Sequence, residues 1–331
     1  MTPQVRKKQA EFPVSAIERL HVPVKAKDFL SILDLSHEEL ERVLDLSAEL
    51  KQERANGIQS MQPLAGKHVA LLFEKPSLRT RTTFTIAVRE LGGAVIEPHA
   101  DVAFGGRETI EDVARNFERW LSGVVVRTFG QERLDRLAAA APKLHVVNAL
   151  TDEEHPCQAL ADMMTLRERL GDVRGRTLTF VGDGNNVAAS LVHAGAMLGM
   201  HVRIASPRGY ELPAGVVKAA EAVARDGATI TLTNDPRAAV NGADAVYTDA
   251  WASMGQEDES DARARVFAPF QVNDDLMAAA GTGALFMHCL PAHRGHEVTD
   301  EVMDSPASVV FDQSENRLHA QKALLALLMG R

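Results

Sequence analysis

The chain of 331 residues has few cysteines, no excess of basic residues and no long apolar run. Two cysteines, Cys157 and Cys289, cannot supply the disulfide framework of a small secreted scaffold. A membrane helix needs roughly 18 consecutive apolar residues, and no stretch approaches that length. Because 36 Lys and Arg face 45 Asp and Glu, the net charge of -9 lacks the basic surplus of proteins that bind nucleic acid or anionic membranes. We therefore expect a soluble cytoplasmic protein that binds neither.

Short apolar runs alternate with amphipathic segments along the sequence. Nine runs have the character of buried strands: 68–73, 124–126, 144–147, 177–181, 201–205, 228–232, 245–247, 284–287 and 309–311. A capping box at Ser36 and Glu39 begins the first helix, and the last periodic segment covers 315–328. This alternation predicts the α/β class, with two doubly wound parallel-sheet domains that meet at a helix over 157–170. We expect residues 1–25 to form an arm and the last helix to cross back to the first domain.

The first candidate site is the polar segment 73–84, which follows the first strand and begins a helix. Ser77, Thr80 and two arginines, Arg79 and Arg81, are concentrated there. Backbone N–H groups at a helix N-terminus attract anions, and hydroxyl and guanidinium groups complete a phosphate site. The alternative is a helix cap followed by solvated arginines.

Two further segments begin helices. His155 and Gln158 would direct an imidazole and an amide into the cleft between the domains, an arrangement suited to a planar amide-like group, although a structural histidine is the alternative. Gly182 and Gly184 begin a dinucleotide-like fingerprint, but Val187 occupies the position of its third glycine. A nicotinamide cofactor is therefore disfavoured.

Polar loops after strands supply the remaining candidates. Asn185 and Asn186 fit either helix caps or a binder of a substrate carboxylate. Asp249 follows a strand and can hold an amine. His288 and Cys289 are adjacent, but no second ligand pair at zinc spacing accompanies them, so we expect no metal site. The segment 311–319 adds one more cation.

Together, five motifs resemble those of the ornithine carbamoyltransferases: Ser77-Leu78-Arg79-Thr80-Arg81, His155-Pro156-Cys157-Gln158, Asp249 with Ser253-Met254-Gly255, His288-Cys289-Leu290-Pro291 and Glu315-Asn316-Arg317. The resemblance covers about residues 25–328. It implies transfer of a carbamoyl group from carbamoyl phosphate to the δ-amine of L-ornithine, which yields L-citrulline and phosphate. We expect no metal or organic cofactor, because the phosphate is an activated leaving group.

The resemblance also implies an organisation. A carbamoyl-phosphate domain would cover 26–156 together with a C-terminal helix over 313–331, and an ornithine domain would cover 157–312. The chain would form a homotrimer or an assembly of trimers and would act in arginine metabolism.

Matched residue by residue, the resemblance assigns roles within the two substrate sites. The implied contacts to carbamoyl phosphate are Ser77, Leu78, Arg79, Thr80, Arg127, His155, Gln158, Cys289, Leu290 and Arg317. The implied contacts to ornithine are Asn186, Asp249, Ser253 and Met254. Catalysis is assigned to Arg127 and His155, which donate to the carbamoyl oxygen, and to Asp249 and Cys289, which are candidates for removing the amine proton.

Three positions depart from the pattern of the resembling family. Leu78 replaces a threonine, Ala103 stands where many members place a Gln or His that reaches a neighbouring subunit, and Gln131 stands where a His is common. Two other functions stay open. The chain could be a sister carbamoyltransferase for another amine, which a product assay with several amines would reveal. It could also be a non-catalytic sensor of ornithine or carbamoyl phosphate, which absence of turnover would reveal.

Overall fold

The structure is a computed structural model and describes residues 24–104, 106–252 and 260–330. The predicted arm over 1–25 lies outside the described residues except for its last two positions. The elements of the first half are α1 (His37–Ala55), β1 (His68–Phe73), α2 (Leu78–Glu90), β2 (Ala94–Ile96), α3 (Ala100–Phe104), α4 (Ile110–Trp120), β3 (Gly123–Arg127), α5 (Gln131–Ala140) and β4 (His145–Leu150).

The second half continues the alternation after a helix that links the two halves. Its elements are α6 (Pro156–Leu170), β5 (Thr177–Val181), α7 (Asn186–Met197), β6 (His201–Ala205), α8 (Ala214–Val223), β7 (Ile230–Thr233), α9 (Pro236–Val240), β8 (Ala245–Thr248), α10 (Ser260–Phe267), α11 (Asp274–Ala280), β9 (Leu285–His288), α12 (Asp300–Met303) and α13 (Val310–Met329). Short 3-10 turns lie at Ile32–Asp34 and Ala268–Phe270.

The described strands form two parallel sheets. The first has the order β2-β1-β3-β4, and the second has the order β7-β6-β5-β8-β9. Every residue of β3 and β5 is buried, as expected for parallel sheets that helices cover on both faces. The register pairs Phe73 with Arg127 and Val181 with Ala205, so loops that leave neighbouring strands begin at the same level. The predicted fold class is confirmed.

The predicted capping box at Ser36 is present and fixes the start of α1. The Ser36 hydroxyl accepts from the backbone N–H of Glu39, and the Glu39 carboxylate accepts from the backbone N–H of Ser36 at 2.8 Å. The helix then buries Leu40, Val43 and further apolar side chains in the core of the first domain.

Helices α6 and α13 connect the two sheets. α6 runs from the end of β4 towards β5, and its residues from Pro156 to Leu166 are all buried. α13 begins near β9 and packs against α1, α2 and α6, which confirms that the last helix returns to the first domain. Although α13 has 20 residues, no helix in the described ranges is both long and apolar enough to cross a bilayer.

One predicted strand is wrong, and one observed strand is not predicted. The run 309–311 begins α13, with Val309 as the N-cap and Val310 as the first helical residue. Both valines are buried, and periodicity alone does not distinguish a short apolar run from a buried first helical turn. Strand β2 has only three residues, which is too few for a recognisable hydrophobic pattern in the sequence. The other eight predicted runs each overlap an observed strand.

Candidate active site

A cleft of about 820 Å³ lies where loops from both sheets meet. The loop after β1 and the end of β3 contribute one wall. The loops after β5, β8 and β9 contribute the opposite wall, and α13 adds one side chain, Arg317. Ligand sites in parallel α/β domains lie at these carboxyl ends of strands, so the position of the cleft follows from the topology.

The two arginines of the first motif lie near the start of α2 and have different surroundings. The Ser77 hydroxyl caps the helix by accepting from the backbone N–H of Thr80 at 3.3 Å. Arg79 lines the cleft. Arg81 forms an exposed ion pair with Glu97 instead, and its guanidinium lies over the ring of Phe73. The segment is therefore a helix cap with one of its two arginines turned towards solvent, and the phosphate site stays a prediction.

Three guanidinium groups converge in the cleft. Arg79, Arg127 and Arg317 all line it, and within the described ranges none of the three has a carboxylate at ion-pair distance. Burial lowers the pKa of each, that of Arg127 to about 10. Arginine side chains nevertheless keep their charge in proteins at neutral pH. The Nε of Arg127 is buried without a hydrogen-bond partner among the described residues. Such a cluster is complementary to a dianion.

His155 lies beside these arginines at the N-cap of α6. Burial lowers the pKa of His155 well below 6.5, and the charges of Arg317, Arg127 and Arg79 lower it further. The imidazole is therefore neutral at pH 7. Its Nδ1 is buried and has no partner in the described part of the chain, and its backbone N–H donates to Ser190 Oγ at 3.0 Å.

A buried acid next to His155 holds this region together. Glu154 accepts from Ser31 Oγ at 2.5 Å and from Ser190 Oγ at 2.9 Å, and its carboxylate lies 3.4 Å from His193 Nδ1. It therefore links the residues before α1 to α7.

Gln158 does not line the cleft, although the sequence places it there with His155. Its side chain is buried behind Arg317, whose Nη1 donates to Gln158 Oε1 at 2.6 Å. The other guanidinium nitrogen, Nη2, donates to Thr80 Oγ1 at 2.7 Å. Arg317 thus connects α13 to both α2 and α6.

The two asparagines on the second wall have different partners. Asn185 is the N-cap of α7, and its Nδ2 donates to Asp249 Oδ2 at 2.8 Å. Asn186 Nδ2 donates to the backbone carbonyl of Thr151 at 2.5 Å. Both asparagines line the cleft. Asn185 is a cap that also orients Asp249.

Asp249 and Cys289 face each other across the ends of β8 and β9. Cys289 Sγ donates to Asp249 Oδ1 at 3.0 Å, and the backbone N–H of Ala250 donates to the same oxygen at 2.8 Å. Burial, followed by the neighbouring carboxylate, raises the pKa of Cys289 well above 9.0. The thiol is therefore protonated.

His288 completes a compact trio with Asp249 and Cys289. Ligand atoms of the three side chains lie within 4.8 Å of one another. His288 Nδ1 accepts from the backbone N–H of Leu290 at 2.8 Å, and His288 Nε2 lies 3.3 Å from buried Glu297. The three residues thus have the composition of a small metal site, and the absence of a metal stays a prediction.

Arg263 holds residues of the second wall in place. Its Nε donates to the backbone carbonyl of Trp251 at 2.5 Å, and it forms an ion pair with Asp183. Its guanidinium also lies 4.8 Å from the ring centre of Tyr210. Burial raises the pKa of Asp183 to about 6, against the opposing effect of Arg263.

Some cleft residues are not singled out by the sequence. Lys75 pairs with Asp152 at 2.6 Å and lies 4.3 Å from the centre of the Phe129 ring, and Asp183 and Trp251 line the cleft. Each belongs to a loop that immediately follows a strand, and that position was the available signal.

Other predicted site residues cannot be placed. Ser253 and Met254 lie outside the described residues, as does the side chain of Ala103. Gln131 is described and begins α5, where its Oε1 accepts from Thr151 Oγ1 at 2.8 Å. It does not line the cleft.

Comparison with protein families gives two matches that together span most of the chain. Residues 27–168 match the carbamoyl-P binding domain of aspartate/ornithine carbamoyltransferase. Residues 174–328 match the Asp/Orn binding domain of the same family. The gap between the matches falls at the end of α6.

Individual relatives are similar over nearly their whole length. The ornithine carbamoyltransferase of Anoxybacillus flavithermus is 49% identical over 310 residues, covering 93% of this chain and 98% of the relative. That of Parasynechococcus marenigrum is 51% identical over 309 residues, covering 93% and 95%. The solved structure of ornithine carbamoyltransferase from Pyrococcus furiosus superposes with a TM-score of 0.90 at 47% identity, covering 93% of this chain and 99% of that one.

Proposed function

The chain belongs to the aspartate/ornithine carbamoyltransferase family, and we propose that it transfers the carbamoyl group of carbamoyl phosphate to the δ-amine of L-ornithine. The products are L-citrulline and phosphate. The observation that carries this proposal is the distribution of charge in the cleft. Arg79 and Arg127 from the first sheet's side, together with Arg317, form an arginine end without acidic partners in the described ranges, and Asp249 lies on the wall from the second sheet.

The arginine end suits the phosphoryl group. Arg79 and Arg317 supply charge, Ser77 and Thr80 supply hydroxyls, and the N-terminus of α2 supplies backbone N–H groups, including that of Leu78. Because no carboxylate within the described part of the chain neutralises these arginines, phosphate would be their first strong counter-charge.

Arg127 and neutral His155 are suited to the carbamoyl oxygen. Negative charge develops on that oxygen when the amine attacks, and a well-placed donor is worth roughly 3 kcal/mol at that moment. A neutral imidazole can donate one hydrogen bond without repelling the three arginines. We propose that Gln158 and the backbone carbonyls of Cys289 and Leu290 contact the carbamoyl amine.

The wall that carries Asp249 suits ornithine. We propose that Asn186 binds its carboxylate and that Asp249 binds its amino groups, with Ser253 and Met254 as further contacts. In the transfer step the free δ-amine forms a bond to the carbamoyl carbon, and the carbon–oxygen bond to phosphate breaks with its electron pair leaving on phosphate. The nitrogen must lose one proton. Since the Cys289 thiol is protonated and donates to Asp249, we propose that the carboxylate receives the proton.

Binding of the two substrates is proposed to follow the two domains. Residues 26–156 with 313–331 would bind carbamoyl phosphate, and residues 157–312 would bind ornithine. We further propose a homotrimer in the cytoplasm that serves arginine metabolism, on the resemblance of the motifs. Exposed Leu78, with 78% of its surface accessible, and exposed Ile96 offer apolar surface for such an assembly. Light scattering should give about three times the 35.9 kDa of one chain, and a mass near 36 kDa would contradict the trimer.

Citrulline formation by the purified protein tests the proposed activity. We expect citrulline and phosphate in equal amounts from carbamoyl phosphate and L-ornithine. A panel with acetylated ornithine, a diamine and other amino acids separates this activity from that of a sister enzyme. Binding of both substrates without turnover would show a sensor instead.

A further inference from the structure

A carboxylate that the proposed reaction does not use lies completely buried in the middle of α6. Asp162 accepts three side-chain hydrogen bonds. Gln158 Nε2 and Gln313 Nε2 donate to its Oδ1 at 2.8 and 2.7 Å, and Tyr247 OH donates to its Oδ2 at 3.2 Å. These donors come from α6, α13 and β8, so the acid lies where both sheets and the returning helix meet.

The position is costly for an acid. Within the described ranges no Lys, Arg or His lies at ion-pair distance from Asp162, and burial raises its pKa to about 7. Burying a carboxyl group without a cation normally destabilises a fold, and an apolar residue of similar size is often neutral or better. Packing alone therefore does not explain an acid at position 162, and the three hydrogen bonds that it accepts indicate a polar role.

That role concerns the orientation of Gln158. An amide has one end that donates and one that accepts, and rotation by about 180° exchanges them. Asp162 holds the Nε2 end, so the Oε1 end is directed towards Arg317. In the rotated state, Nε2 would face the donating guanidinium of Arg317, and Oε1 would face the carboxylate. Asp162 and Arg317 thus fix the same orientation from opposite sides.

We propose that Asp162 is a positioning residue for the donor substrate, because it keeps Gln158 Oε1 turned towards Arg317, which lines the cleft, so that this oxygen and not Nε2 is the end of the amide that faces the NH2 group of bound carbamoyl phosphate. This inference rests on the proposed function, in which Gln158 contacts that amine. It also predicts an effect of Asp162 on the choice between two donor ligands. The acid would favour carbamoyl phosphate over an acyl phosphate that carries a methyl group where the amine lies.

Acetyl phosphate is that analogue, and the ratio of its dissociation constant to that of carbamoyl phosphate is the quantity to measure. Calorimetric titration gives both constants. Asp162→Leu removes the acceptor, so the ratio should fall about tenfold, mainly through weaker binding of carbamoyl phosphate. Gln158→Leu removes the amide through which Asp162 acts, and the same fall is expected. A purely structural role would weaken both ligands equally and leave the ratio unchanged.

Two variants serve as matched controls. Asp162→Asn can place its oxygen towards the two glutamine donors and its amide nitrogen towards the Tyr247 hydroxyl, so it should keep the ratio. Tyr247→Phe removes the hydrogen bond to Oδ2 and the one that Gln313 Nε2 donates to the Tyr247 hydroxyl at 3.0 Å. It leaves Gln158 Nε2 bound to Asp162 Oδ1, so it should also keep the ratio. A fall in Tyr247→Phe as large as in Asp162→Leu would overturn the proposal, because loosening of the network alone would then explain the effect.

If Asp162→Leu does not fold, Gln158→Leu and Asp162→Asn still test the proposal. An unchanged ratio in Gln158→Leu, or a tenfold fall in Asp162→Asn, would each overturn the proposal. The unaltered protein separates this inference from the proposed function. Citrulline formation with no preference for carbamoyl phosphate over acetyl phosphate would overturn the inference alone, whereas a protein that forms no citrulline would overturn the proposed function.

Discussion

The thiol of Cys289 donates to the carboxylate of Asp249, with Sγ 3.0 Å from Oδ1. The direction of this hydrogen bond assigns different roles to two side chains that the sequence leaves equivalent. A thiol with a raised pKa is a poor proton acceptor at neutral pH. We therefore expect Cys289 to orient the acid and Asp249 to receive a proton from the substrate.

Cys289→Ser should retain most of the activity, because a hydroxyl preserves a donor to Asp249. We expect kcat/KM for ornithine to stay within about fivefold of the original, and to fall by roughly tenfold in Cys289→Ala, which removes the donor. Steady-state kinetics across pH 6–10 checks this. The sulfur itself is the base if serine impairs activity as strongly as alanine, and if both variants also lose a rise of kcat/KM with pH that the unaltered protein shows on the alkaline side.

Asp249→Asn should impair the use of ornithine without impairing the binding of carbamoyl phosphate. The variant keeps the shape of the side chain and deletes its charge, so binding of carbamoyl phosphate should be preserved. Loss of a charge-assisted contact of about 1.5 to 3 kcal/mol would lower kcat/KM for ornithine by roughly tenfold to a hundredfold. Calorimetry and kinetics on the same sample measure both quantities. Normal use of ornithine together with lost carbamoyl phosphate binding would reverse the proposed division of the cleft.

Arg79→Ala should weaken carbamoyl phosphate binding roughly tenfold to a hundredfold with little effect on the melting temperature, because Arg79 has no acidic partner in the described ranges. Arg81→Ala is the matched control, since Arg81 lies on the same helix as Arg79 but pairs with exposed Glu97. Calorimetric titration compares the two variants. Equal effects on the dissociation constant would mean that the cap region binds no phosphate.

The sequence predicts much of this arrangement because local physics determines it. Buried strands such as 177–181 are recognisable as apolar runs, and the loops that follow them must meet at one edge of a parallel sheet. The strand predicted at 309–311 failed for the converse reason. Its valines are buried by tertiary contacts of α13. A short sequence window does not contain the residues that make those contacts.

Side-chain pairing is what the sequence does not contain. The sequence predicts Gln158 in the cleft with His155, but one turn later on α6 its side chain is buried behind Arg317, between that guanidinium and Asp162. Asp162 itself gives no sequence signal, since an acid on a helix is usually solvated. Its partners Tyr247 and Gln313 lie 85 and 151 residues away in sequence.

Asp162 should also shape the dependence of stability on pH. Its pKa is raised from 3.8 to about 7 in the folded chain, so its contribution to stability is greatest below 3.8 and is lost as pH rises through about 7. Asp162→Asn has no such dependence. The melting temperature of Asp162→Asn minus that of the unaltered protein should therefore be about 2 to 5 °C more positive at pH 8 than at pH 5. A constant difference would contradict a raised pKa.

The hydrogen bond between Arg317 and Thr80 joins residues separated by 237 positions. During synthesis, the ribosome releases the whole first sheet long before residue 317 emerges, so that sheet can fold while its arginine end still lacks the third of its three guanidinium groups. Contacts of such separation form late, because a long loop must close first. Affinity for carbamoyl phosphate should therefore arise in a nascent chain only after the second sheet and α13 have docked. The ligand would then stabilise only molecules whose folding is complete.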